Sequence, residues 1–151
     1  MGKQEKGLTM VSLVVMLLVI AIISAVTIYY GTGIIRSAKL ESLKTDMLLI
    51  QAKIKTVEEQ ANFEGTALVG AVLDDTNVLT KLGLTQNEKI KLLSRDDLNY
   101  LGLSKVDTED RNFVVDYINS EVYLVEGFEY KDKDGNQQVK YKLSEIENLS
   151  L

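Results

Sequence analysis

The chain has 151 residues and a net charge of −5 at neutral pH, and it contains no histidine, cysteine or proline. Without cysteine it can form neither a disulfide nor a zinc–thiolate site, and without histidine it lacks the commonest general base and metal ligand. The basic residues are scattered, with no cluster that could neutralise a row of phosphates. The composition therefore argues against an enzyme, a bound cofactor and direct contact with nucleic acid.

Apolar residues are concentrated near the N-terminus of the sequence. Residues 1–7, MGKQEKG, are polar and partly charged, whereas residues 8–35 include no charged residue. A helix that crosses the hydrocarbon core of a bilayer needs about 20 apolar residues, so this run is long enough. We therefore predict a membrane-spanning helix over residues 8–35.

Two conventional interpretations of this segment can be weighed. A secretory signal peptide has an apolar region of about 7–15 residues and a small-residue cleavage site after it. Here the apolar run is longer, and Gly7 comes before it. An uncleaved single-pass anchor fits the length. Its orientation is poorly specified, because basic residues flank the run on both sides (Lys3 and Lys6 before it, Arg36, Lys39 and Lys44 after it).

A third interpretation comes from the junction between the two segments. A short basic leader that ends in Gly7 and directly precedes a long apolar helix resembles the signal of type IV prepilins. The resemblance to the type IV pilin-like and pseudopilin family implies cleavage between Gly7 and Leu8 by a prepilin peptidase, with methylation of Leu8. It also implies packing against other pilin subunits through residues 8–35, and an assembly platform protein as a partner.

Ser12 departs from the pattern of that family, which usually has a glutamate at the fifth position of the mature chain. The family's glutamate is understood to neutralise the N-terminal amine of a neighbouring subunit, and leaving that charge unpaired in an apolar core costs several kcal/mol. Serine has no charge to offer. A subunit at the filament tip has no neighbour above it, so Ser12 favours a minor, tip-located subunit over a major one.

Residues 36–62 continue the helical pattern in amphipathic form. Apolar residues recur at alternating spacings of three and four, and charged residues lie mostly off this stripe. Gly65 is a suitable end for the helix. We expect one face to pack on a sheet, although the spacing also fits a coiled-coil seam. The apolar stripe consists of Leu40, Leu43, Met47, Ile50, Ile54, Val57 and Ala61.

The segment that follows the amphipathic helix carries weaker signals. Residues 66–73 and 77–83 could form short helical turns or irregular loops. Further on, Ser94 followed three residues later by Asp97 is a capping box, which predicts a short helix at 95–101.

From residue 112 the hydrophobic pattern changes to period two, which is typical of strands. Two hairpins are predicted, followed by a final helical turn for which Ser144 and Glu147 form a capping-box pattern. The first hairpin pairs 112–118 with 121–126 around Asn119-Ser120, the second pairs 128–131 with 137–143, and the helical turn covers 144–147. Without a disulfide, burial must hold the hairpins together, through Phe113, Val115, Tyr117, Val122 and Leu124.

The loop at 132–136, DKDGN, is compatible with a calcium-binding loop or with a plain turn. If Gly135 held the sixth position of a calcium loop, Tyr130 and Tyr141 would fall at the first and twelfth positions, where carboxylates are required. The plain turn is therefore favoured.

The C-terminal half adds to the family resemblance. The string LSRDDLNYLGL, followed by FVVDY and by a Tyr-Lys-Leu-Ser ending, is similar to pilin-like proteins of Gram-positive bacteria.

Together these observations predict an α+β protein in which one long N-terminal helix packs on a small, four-stranded, mainly antiparallel sheet. The predicted organisation is a leader (1–7), a transmembrane or filament-core helix (8–35) and a pilin-like globular head (36–151) that includes the amphipathic helix 36–62. The predicted function is that of a structural subunit of a type IV pilus or pseudopilus. Such a subunit is held in the cytoplasmic membrane as a precursor and is later extracellular. The alternative is an uncleaved, singly anchored surface protein with a binding head.

Overall fold

The computed structural model describes the backbone of residues 2–151 and the side chains of residues 9–25 and 36–151. Over this range the chain is α+β, and it divides into two compact units. One unit comprises the residues up to Lys39, and the other is Leu40–Ser150. The helices and strands in chain order are α1 (Gly2–Glu64), β1 (Ala71–Val72), α2 (Thr76–Leu82), β2 (Ile90–Leu93), α3 (Arg95–Tyr100), β3 (Phe113–Asp116), β4 (Glu121–Lys131), β5 (Gln137–Lys142) and α4 (Leu143–Ile146).

The amphipathic part of α1 is confirmed. Its predicted stripe is buried against the sheet as far as Ile54, whereas Val57 and Ala61 are only half-buried. The helix ends where Gly65 takes a positive φ of 69°, and its N–H donates to the carbonyl of Ala61 at 3.0 Å. Glycine adopts this left-handed conformation without the steric cost of a side chain, and so it satisfies a free carbonyl of the last turn.

The sheet has five strands among the described residues, in the order β1-β2-β3-β4-β5, and every neighbouring pair is antiparallel. The prediction of four strands is therefore wrong, since β1 and β2 also pair into the sheet and the predicted strands 121–126 and 128–131 form one strand, β4. β1 has two residues and β2 has four, which is too short to show a clear period of two. The pairing of β1 with β2 and of β2 with β3 depends on contacts that are distant in sequence.

Both faces of the sheet are covered. One face packs on α1, and the predicted core residues Phe113, Val115, Tyr117, Val122 and Leu124 all lie in that cluster, as expected. The other face carries Ile90, Val114 and Tyr123, on which Leu79 and Leu82 of α2 pack. The core residues that pack on α1 were therefore predicted from the sequence, whereas the second core, between the sheet and α2, was not.

α2 shows that the helical option was correct for residues 77–83, whereas residues 66–73 contain β1 instead. The side chain of Asp75 caps the N-terminus of α2, accepting from the N–H groups of Asn77 at 2.9 Å and Val78 at 3.3 Å. Gly83 ends the helix with a φ of 69°.

The connection between β3 and β4 is longer than the predicted two residues. β3 ends at Asp116, because its Oδ1 accepts from the N–H groups of Ile118 at 2.9 Å and Asn119 at 3.3 Å and turns the chain out of the strand. The pair Asp116–Glu121 closes the hairpin, so the turn comprises residues 117–120.

The second hairpin differs in one respect from its prediction. β4 runs without interruption through Gly127, where the sequence predicts a break, and the irregularity appears as a bulge between Tyr123 and Phe128. Gly127 has a φ of 77°.

The two short C-terminal helices were predicted, but only one of them has the predicted cap. The Ser94–Asp97 capping box is present at the start of α3. α4 begins one residue before Ser144, and its N-cap is Lys142, which makes no side-chain capping bond. A capping box at Ser144 is therefore wrong, because Ser144 already lies inside the helix.

Replacing Gly127 by alanine is expected to lower the free energy of unfolding by roughly 2–4 kcal/mol. Alanine is strained in the left-handed backbone conformation, and its Cβ would overpack the neighbouring strand. A Cβ at this position would lie 2.5 Å from Val139 Cγ1 and 2.7 Å from Tyr141 Cε1. The matched control is Gly135→Ala, where φ is also positive (82°) but no atom lies within 4 Å of the added Cβ. Urea unfolding followed by near-ultraviolet circular dichroism of tyrosine measures both. Equal losses would contradict the steric part of the expectation.

Candidate functional site

The described N-terminal part of α1, residues 9–25, is apolar around its whole circumference. No residue in this range is charged. A helix on the surface of a soluble protein has one apolar stripe and one polar face, so a helix apolar on all sides is stable only in apolar surroundings. Covering these side chains is worth on the order of 10 kcal/mol. The large apolar side chains that are about half exposed or more are Met10, Val11, Leu13, Val14, Val15, Met16, Leu17, Leu18, Val19, Ile20, Ile22 and Ile23.

Part of the predicted span falls outside the side chains that the structure describes. Leu8 and residues 26–35 belong to that part. Gly7, just before the span, is also outside the residues with described side chains, so nothing is described of the side chains of the predicted processing pair Gly7–Leu8. Within the described ranges, no helix reaches the combined length and hydropathy required to cross a membrane.

Ser12 is described, and it is exposed on the apolar surface of α1. At helical spacing, its neighbours one turn towards the C-terminus are Val15 and Met16, which are also exposed. A charged group at this position would therefore stand in an apolar environment once the surface is covered. Serine, in contrast, can be buried there at moderate cost, because a helical serine can hydrogen-bond to its own preceding turn, as Ser24 does to Ile20 at 2.7 Å.

A buried carboxylate on the second half of α1 was not foreseen from the sequence. Hydrophobic periodicity places Asp46 among the polar positions beside the apolar stripe, yet the residue is 8% exposed. Its Oδ2 lies 3.4 Å from Arg111 Nη1 and accepts from the N–H of Asp107 at 3.3 Å. Burial raises the pKa of Asp46, and the N–H of Asp107 and the Arg111 guanidinium offset that rise only in part. These contacts of Asp46 with Arg111 and Asp107 link the loop before β3 to α1.

The loop at 132–136 forms a turn closed by its own aspartate. Asp132 Oδ1 accepts from the N–H groups of Asn136 at 2.9 Å and Asp134 at 3.0 Å, and Oδ2 accepts from Gln138 Nε2 at 3.1 Å. These hydrogen bonds, that to Asn136 first, lower the pKa of Asp132. In the part of the chain with described side chains, no group of three or more acidic, histidine or cysteine side chains could hold a metal ion.

Replacing Asp46 by asparagine is expected to change how stability depends on pH. Because the folded-state pKa of Asp46 is raised, the folded protein holds this proton more tightly than the unfolded chain does. The wild type should therefore lose stability relative to Asp46→Asn as pH rises from 3.8, the ordinary pKa of an aspartate, through the raised pKa of the folded state. Urea unfolding of both proteins across this range measures the difference. A wild type that instead gains stability relative to the variant would show that the Arg111 pair outweighs burial.

Comparisons of the chain with protein-family models, curated proteins and solved structures found no match. The functional interpretation therefore depends on the residues themselves. Of the surfaces described above, the apolar surface of α1 would gain the most free energy from contact with a partner. Exposing its side chains to water is unfavourable, and nothing in the described chain covers them.

Proposed function

We propose that this chain is a structural subunit of a type IV pilus or pseudopilus, made as a membrane-held precursor and processed after Gly7. The observation that carries the proposal is the all-round apolar surface of residues 9–25, which begins two residues after a basic leader ending in glycine. A lipid bilayer and a bundle of identical or related helices both supply the apolar surroundings that this surface requires.

The leader precedes the apolar helix, and this order supports assembly of membrane-held subunits rather than release of the mature protein from the membrane. Cleavage before the apolar run leaves the helix on the mature protein, so that the subunit stays in the bilayer and can later exchange lipid for the helices of other subunits. The exchange costs little, because lipid tails and packed apolar side chains are similar environments, and packing and lipid entropy then decide the outcome.

The second half of α1 offers a further surface to neighbouring subunits. Leu48 and Leu49 are 44% and 46% exposed, on the side of the helix away from the buried stripe. Their neighbours Thr45 and Ala52 are also exposed. A face of this kind is consistent with side-by-side contact between subunits at a position C-terminal to the apolar region. The partners in the proposal are accordingly other pilin subunits, a prepilin peptidase and a platform protein.

The processing step is tested by intact-mass measurement of the protein from membrane and sheared-filament fractions. We expect the loss of residues 1–7 and a methyl group on Leu8. Replacing Gly7 by valine should abolish the processing, because a branched side chain replaces the small residue before the scissile bond. Gly2→Val is the matched control, since it makes the same change inside the leader but away from the junction.

Wild-type protein that keeps residues 1–7 in both fractions would overturn the filament proposal. It would instead support the uncleaved, singly anchored surface protein.

We also propose from Ser12 that the chain is a minor component of the filament. Substitutions that change the charge at this position test the proposal. Ser12→Glu should raise the ratio of this subunit to the others in sheared filaments, because a carboxylate there can pair with the N-terminal amine of the subunit above. Ser12→Gln, of similar size but uncharged, should leave the ratio unchanged. Equal ratios for the two variants, measured by quantitative mass spectrometry, would contradict the role given to this position.

A further inference from the structure

A cavity of about 290 Å³ opens on the Leu40–Ser150 unit, between the α2–β2 connection and the β3–β4 turn. Its volume is near the lower end of the range for small-molecule sites, about 300–1,000 Å³, so it can hold one small ring. Thr85 and Ile118 at its rim are exposed, so the cavity is open to solvent. No lysine or arginine is among the described residues that line it.

Tyr123 lines this cavity and has an unusual hydroxyl group. The residue is 6% exposed, yet its phenolic oxygen has no hydrogen-bond partner among the described side chains and backbone. Tyr117, which is buried in the β3–β4 turn, behaves differently, since its hydroxyl donates to the carbonyl of Val69 at 2.8 Å. Burial raises the pKa of Tyr123, so its hydroxyl stays protonated at neutral pH and can both donate and accept. No buried side-chain oxygen or nitrogen of the described residues lacks a hydrogen-bond partner, so the hydroxyl of Tyr123 is accessible to solvent and can bond to a ligand in the cavity.

Asp116 contributes a carboxylate that can accept few further hydrogen bonds. It is 2% exposed and forms no ion pair with a described basic side chain. It already accepts three hydrogen bonds, two at Oδ1 from backbone N–H groups and one at Oδ2 from Asn119 Nδ2 at 2.7 Å. An ionised carboxylate has about four acceptor positions, so roughly one remains for a ligand.

Two further polar groups complete the lining. Asn87 Oδ1 accepts from the N–H of Lys89 at 2.9 Å, which leaves the Asn87 amide nitrogen available to donate. The hydroxyl of Thr85 makes no hydrogen bond within the described part of the chain and can donate or accept. Leu84 and Ile118 add apolar surface beside these groups. The cavity therefore presents donors and acceptors in similar number, next to apolar side chains.

We propose that this cavity binds one uncharged, hydroxyl-rich ring, the chemistry of a single sugar residue. Each ligand hydroxyl donates and accepts, which matches the mixture of Tyr123, Thr85, Asn87 and Asp116, and the apolar ring faces pack on Leu84. An anion is disfavoured, because a carboxylate lines the site without a basic residue. An ammonium group, which only donates, would leave the Asn87 amide unmatched. The inference is independent of the filament proposal, because it concerns only the Leu40–Ser150 unit.

The test uses the full-length, ¹⁵N-labelled chain in lipid nanodiscs, since glycoside detergents would compete. Amide spectra are recorded with methyl glucoside, methyl galactoside, methyl N-acetylglucosaminide and maltotetraose, and with acetate and methylammonium as charged probes. At least one glycoside should shift the amides of Leu84, Ile118 and Asn119, and the charged probes should not. Binding of the methyl glycosides alone indicates a free sugar, whereas equal binding of the tetrasaccharide indicates the end of a glycan.

Tyr123→Phe removes only the hydroxyl and should weaken glycoside binding about tenfold, the effect of one lost hydrogen bond. Thr85→Ala, at an exposed position where misfolding is not expected, should also weaken binding. Tyr117→Phe, which removes a buried hydroxyl outside the cavity, should leave the affinity unchanged. The proposal is overturned if no glycoside shifts these amides, if methylammonium binds more tightly than every glycoside, or if both cavity variants bind like the wild type.

Discussion

The burial of one stripe of α1 on the sheet is the interaction on which the Leu40–Ser150 unit depends. The stripe residues Leu40, Leu43, Met47, Ile50 and Ile54 are each at most 1% exposed. In a chain without disulfides, this apolar contact has to hold a sheet whose first three strands are separated by long connections. Burying five such side chains is worth roughly 10 kcal/mol, comparable to the whole stability of an ordinary domain.

Polar residues that flank the stripe fix three separate segments to the same helix. Lys44 Nζ donates to the carbonyl of Leu149 at 2.6 Å, and Gln51 Nε2 donates to the carbonyl of Ser120 at 2.9 Å. Between these positions, Asp46 pairs with Arg111. The apolar stripe supplies most of the energy, whereas these contacts set where the C-terminal tail, the β3–β4 turn and the loop before β3 meet the helix.

What could be predicted from sequence was local or strongly periodic. The stripe of α1 repeats over several turns, and the Ser94–Asp97 capping box acts over three residues, so both were found. β1 and β2 were missed because such short strands carry no clear period and are defined by their partners. Asp46 and the cavity around Tyr123 depend on segments far apart in sequence, so no local pattern could reveal them. The processing pair Gly7–Leu8 remains a prediction from sequence.

The strand order has a consequence for how the protein behaves at high local concentration. The backbone N–H and C=O groups of a strand lie in the plane of the sheet, so the rows without a partner strand are at the two edges, and exposed edges are where sheets of different molecules join. One edge is β1, whose two residues offer almost no template. The other is β5, which carries Lys140 and Lys142, and lysine on an edge strand discourages pairing with another strand. A molecule crowded among its own copies therefore presents little edge on which their sheets could join.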